Sequence, residues 1–140
     1  VYETLRSVIM QTQNSVKSYV AASTILEFDV VKFDGNGKIA QCAHSDAGST
    51  TILGIAQRGC AAGEVTDVLI QGVSRAKLAA IAAFEGAGAA ALTVSNDGKL
   101  ETAGSGDFVV ARILPNINST ASANNDQREV LFLGPVIVKA

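Results

Sequence analysis

One local pattern, present twice, limits what this chain can fold into more than any other feature. Val31-Lys32-Phe33-Asp34-Gly35-Asn36-Gly37-Lys38-Ile39 returns as Leu92-Thr93-Val94-Ser95-Asn96-Asp97-Gly98-Lys99-Leu100. Each copy is a short alternating strand, a tight Gly/Asn/Asp turn, then Gly-Lys and an aliphatic residue. Gly, Asn and Asp reach positive φ cheaply, as hairpin turns require. Asp34, Gly35, Asn36 and Gly37, and again Asn96, Asp97 and Gly98, are therefore expected to be structural turns. A further strand ending in glycine follows each copy, Asp67-Val68-Leu69-Ile70-Gln71-Gly72 and Glu129-Val130-Leu131-Phe132-Leu133-Gly134. The repeated positions carry no catalytic residues, which points to a building part.

The rest of the chain reads as strand at short spacing. Val16 to Val20 alternates, residues 25–33 are rich in branched and aromatic side chains, and Thr51 to Ala56 forms the next run. Gly54 inside that run signals a bulge or a close backbone approach. Residues 107–113 parallel it, with Ala111 in the place of Gly54. Val73 to Leu78 alternates as a separate strand after Gly72. The alanine-rich residues 79–91 read as an irregular crossover or a single helical turn, ended by Gly86 and Gly88. Residues 116–127 form a long polar loop, where the first half has only 58–64, and loops of that length are usually functional or mobile. The expected fold is mainly β: a β-sandwich or barrel-like domain over residues 16–140, built from two similar halves near 28–72 and 90–134. Residues 1–15 read as an extended N-terminal arm. Tyr2, Leu5, Val8, Ile9 and Met10 are apolar and costly to leave in water, so they are candidate contacts to the chain's own core or to a neighbour.

Composition narrows the function classes. Apolar residues make up 48% of the chain, enough for a packed interior, and there is no Trp. The net charge is −2 and no two basic residues adjoin. Binding through counterion release needs clustered Lys and Arg, so no nucleic-acid partner is expected. No stretch approaches about 18 uninterrupted apolar residues, so no membrane span is expected. The N-terminus does not read as a signal peptide, and the simplest site of synthesis is the cytoplasm of the producing cell. Cys42 and Cys60 fit buried or free thiols there, with a bond between them left open.

No reactive constellation emerges. One histidine and two cysteines separated by 17 residues lack the close pairing of zinc ligands. Asp34-Gly35-Asn36-Gly37 lacks the later acidic ligands of a calcium loop. His44-Ser45-Asp46 holds three triad side chains, but as neighbours, whereas a working triad converges from separate elements. Gly86-Ala87-Gly88-Ala89-Ala90-Ala91 matches a dinucleotide fingerprint only formally, without the strand before it and the helix after it. Asn118-Ser119-Thr120 is a glycosylation sequon in pattern alone. The expectation is a protein that is not an enzyme, with no cofactor and no metal.

The order of the pieces resembles a known family. Phe28-Asp29-Val30-Val31-Lys32-Phe33-Asp34, Gly37-Lys38-Ile39, Leu53-Gly54-Ile55-Ala56, Ala61-Ala62-Gly63-Glu64 and Val68 to Gly72 resemble the tandem motif of capsid decoration, or cement, proteins of tailed bacteriophages. The second half follows with Ala91-Leu92-Thr93-Val94, Gly98-Lys99-Leu100 and Val110-Ala111-Arg112-Ile113, but has no evident Ala-Ala-Gly-Glu. The resemblance covers about residues 16–138. It implies a structural virion protein on the outer capsid surface that binds neighbouring major capsid protein subunits, stabilises the shell and forms a homotrimer. A rival reading is a small β-barrel carrier or ligand-binding module. Such a carrier needs a modifiable lysine, usually beside Met, and here Lys38 and Lys99 follow glycine while the one Met is Met10.

Overall fold

The structure, a computed structural model, describes residues 14–81, 91–114 and 121–139. It holds nine strands: β1 (Ser15–Val20), β2 (Val30–Phe33), β3 (Ile39–Gln41), β4 (Ile52–Ala56), β5 (Val65–Leu78), β6 (Ala91–Val94), β7 (Leu100–Thr102), β8 (Phe108–Ile113) and β9 (Asp126–Val138). Among the described residues there is no α-helix, only the 3-10 turns His44–Asp46 and Asn96–Gly98. The chain is mainly β and barrel-like, as the alternation and turn spacing predict.

The strands close into two small rings that share one strand. In the first ring, β5 pairs with β1 and with β4, β4 with β2, and β2 with β3, all antiparallel. A parallel bridge from Ala21 to Ile39 joins the end of β1 to β3. In the second ring, the later half of β5 pairs with β9, β9 with β8, β8 with β6, and β6 with β7, again antiparallel. A parallel pair, Leu78 with Leu100, closes it. Closure removes most of the unpaired edges that make open sheets prone to aggregate.

Several backbone bonds recur between the two rings. Ala22 N–H donates to Ile39 O at 2.8 Å, and Ala79 N–H to Leu100 O at 2.9 Å. The Ile25–Cys60 bridge of the first ring returns as Ile81–Ser122 in the second. Val31 faces Gly54 across β2 and β4, and Leu92 faces Ala111 across β6 and β8, so Ala111 does stand where Gly54 stands. The later half of β5 plays the part in the second ring that β1 plays in the first.

That sharing differs from the sequence reading, which ends one strand at Gly72 and starts another at Val73. β5 instead runs unbroken through Gly72, whose φ is 131°. A residue without a Cβ takes that conformation at no steric cost, so the strand bends from one ring into the other and keeps its ladder. Asp126 and Gln127, expected in the long loop, open β9. The sequence motif Gly86 to Ala90, the sequon at Asn118 and arm residues 1–13 lie outside the described residues, while Ser15, read as the end of the arm, opens β1.

Each ring encloses a core. Ala21, Ile25, Val31, Ile39, Leu53, Ala56 and Val68 fill the first. Leu78, Ile81, Leu92, Leu100, Val110, Ile113, Val130 and Phe132 fill the second. Val30, Cys42, Ala47, Ile52, Ile55 and Leu69, all from the first lobe, pack against the second core and make the seam. β4 is consequently buried at all five positions. Adding a Cβ at Gly54 would bring it 2.1 Å from the Leu69 carbonyl oxygen. Both sequence readings of that glycine hold, since β2 also shifts register opposite it, between Val31 and Lys32.

Candidate functional site

The two repeated turns occupy different surroundings. In the first, Asp34 Oδ1 accepts the Asn36 N–H at 2.8 Å and the Lys38 N–H at 3.2 Å. Asp34 N–H donates to Lys38 O at 3.0 Å. Gly35, Asn36 and Gly37 are exposed. In the second, Ser95 N–H donates to Lys99 O at 2.7 Å, the same closure. Asn96 and Asp97 are exposed but Gly98 is buried, and its N–H donates to Cys42 O at 3.1 Å. Asn96 Oδ1 accepts the His44 N–H at 3.0 Å. The first turn is thus free at the surface, while the second is built into the seam.

His44, Ser45 and Asp46 belong to that seam and do not converge. His44 Nδ1 lies 2.6 Å from Glu101 Oε1 on β7. Ser95 Oγ donates to the other oxygen of Glu101 at 3.1 Å. Asp46 turns the other way, taking Lys32 Nζ at 2.9 Å and the Ala43 N–H at 2.8 Å. His44 thus reaches the second lobe, whereas Asp46 stays within the first. Phe108 N–H donates to Ala47 O at 2.8 Å, which fastens the loop along the second lobe.

Asp29, just before β2, is a fully buried carboxylate. Its Oδ2 accepts the Leu26 N–H and Gln41 Nε2, each at 2.8 Å. Its Oδ1 meets the ammonium of Lys77, on the later half of β5. A Cβ at Gly98 would lie 2.8 Å from the Asp29 carboxyl carbon. The carboxyl is therefore clamped between the lobes. The sequence places Asp29 in a family motif but carries no sign that Lys77, 48 residues later by number (77 − 29), would reach it.

The two thiols are unpaired. Cys42 is buried in the seam, and burial first, then the Asp46 charge, pushes its pKa up to about 12. Cys60 is half-buried, and burial followed by Glu64 raises it as well. Among the described residues, no group of three or more His, Cys, Asp or Glu side chains is placed to hold a metal ion, and no helix is long and apolar enough to cross a membrane.

What the surface offers is apolar strand. Beyond Gly134, β9 continues along the start of β8, with Ile137 opposite Val109 and Val138 opposite Phe108. Val136, Ile137 and Val138 are 72%, 52% and 56% exposed. Among the described residues, β9 past Phe132 has no strand on its other side. The sequence signal was present, since three adjacent branched residues break the alternation a half-buried strand would show. The contact candidates named from the sequence, Tyr2, Leu5, Val8, Ile9 and Met10, lie outside the described residues.

No family model matches the sequence, and no curated protein matches it. Among solved structures, the fold is similar to the N base of head fiber gp8.5 of bacteriophage phi29. The TM-score is 0.58 at 11% identity, covering 89% of this chain and 98% of that one.

Proposed function

We propose that this chain is a non-enzymatic structural protein of a bacteriophage head, carried on the outer capsid surface and bound to major capsid subunits. The observation that carries the reading is the fold likeness, which extends over 98% of a phage head fiber base. Three further points support it. The tandem motif resembles cement proteins. Asp29, His44 and Asn96 tie the two lobes together across the seam. The exposed Val136, Ile137 and Val138 line a strand edge of the kind that a neighbour covers. In this reading the protein works as a homotrimer, because closed symmetry covers such edges and multiplies modest contacts.

Mixing the purified chain with expanded heads that lack it tests the reading. Saturable co-sedimentation and regularly spaced added density outside the shell are the expected outcome, with a trimer mass by light scattering. Heads that stay bare at saturating protein would overturn the head assignment, and a monomer that still binds would overturn only the trimer.

A further inference from the structure

Lys77 and Asp29 meet under conditions that favour a covalent bond, and we propose that they form an intramolecular isopeptide link between the two lobes. Asp29 is 0% exposed and the Lys77 side chain 13% exposed. Oδ1 of Asp29 meets no hydrogen-bond donor among the described residues beyond the Lys77 ammonium it faces. Oδ2 is held by two donors, Leu26 N–H and Gln41 Nε2, at 2.8 Å each. Gly98 lies beside the carboxyl, where an added Cβ would come within 2.8 Å of the carboxyl carbon. Nucleophile and carbonyl carbon are therefore held together by two folded lobes, which converts a bimolecular condensation into a unimolecular one.

The chemistry balances without a further reagent. One proton passes from the ammonium to Oδ1, giving an amine and a carboxylic acid. The nitrogen lone pair attacks the carboxyl carbon, and the developing negative charge falls on Oδ2, where the two donors already point. A second proton moves from nitrogen to Oδ1, the carbon–oxygen bond breaks, and water leaves. The amide keeps the third hydrogen. The product replaces two charges buried at a desolvation cost with one neutral amide. Lys32 and Asp46 provide an internal contrast. That pair is more exposed, at 28% and 13%, and its carboxylate also binds the Ala43 N–H through the oxygen facing the ammonium. It stays ionic.

Intact-mass measurement on the denatured full chain decides the matter. The expected mass is one water below that of the sequence. Trypsin should then fail to cut after Lys77 and release residues 18–32 joined to residues 76–99 as one branched peptide, with normal cleavage after Lys32. Lys77→Arg should restore the full sequence mass. A wild-type chain with the full mass and ordinary cleavage after Lys77 would overturn the link and leave an ion pair. The result does not depend on the head function, since it reads the chain alone.

Discussion

The two lobes share a backbone plan and differ in how they fill it. Register pairs Tyr19, Ala21 and Ile70 of the first lobe with Ala76, Leu78 and Phe132 of the second. Tyr19 faces a smaller counterpart in Ala76, while Leu78 and Phe132 are larger than Ala21 and Ile70. Interiors tolerate such exchange when total volume is kept. The outer faces differ for another reason. Ile55 and Leu69 are buried because the second lobe lies on them. Their counterparts, Arg112 and Leu131, are exposed and half-buried. A tandem pair thus has one lobe with an inner and an outer core, and one with a single core.

The largest difference between the lobes is expected at Phe132. Phe132→Ala removes the largest fully buried side chain among the described residues and is expected to cost about 3–5 kcal/mol in urea unfolding. Ile70→Ala, at the half-buried equivalent, should cost about 1–2 kcal/mol. Equal losses would mean that the volume is not exchanged between these positions. The matched turn glycines come next. Gly37 and Gly98 have φ of 77° and 69°, so alanine at either pays about 1 kcal/mol for a left-handed backbone. Nothing lies within 4 Å of an added Cβ at Gly37, whereas at Gly98 it meets the Asp29 carboxyl. Gly98→Ala should therefore lose a further ~1–3 kcal/mol, and identical melting shifts for the two would count against a clamped carboxyl.

The pH-dependent difference concerns Cys42, whose counterpart is the buried Ala103. Its thiol is raised from 9.0 to about 12 in the folded chain, so folding holds a proton that the unfolded chain releases. The contribution is fully present below pH 9.0 and is lost as pH climbs toward about 12. Unfolding free energy should fall over that window in the wild type relative to Cys42→Ala. A constant difference across the window would place the thiol in water. In native protein a maleimide should label Cys60 ahead of Cys42.

Much of the fold was legible because strands and turns are written locally. The doubled turn announced both hairpins, and Ala111 was recognisable as the partner of Gly54. The missing Ala-Ala-Gly-Glu of the second half shows where legibility stopped. Its place is taken by Ala123-Asn124-Asn125-Asp126. Ala61 N–H donates to Glu64 Oε1 at 2.7 Å, and Ala123 N–H to Asp126 Oδ2 at 2.9 Å. Gly63 and Asn125 both sit at positive φ, 86° and 71°. Asparagine tolerates that conformation and aspartate makes the same cap, so the geometry survived while the letters changed. The seam was not legible at all, because Asp29, Lys77 and Gly98 come from three distant segments.

The sequence alone carried the local grammar, a β chain with two like turns, since alternation and turn chemistry depend on neighbours a few residues apart. Only the packed fold shows that β5 serves both rings, that the second turn is built into the seam while the first is free, and that Lys77 faces Asp29. Those outcomes depend on which surfaces two folded lobes exclude from water when they dock. No nearest-neighbour preference encodes that choice.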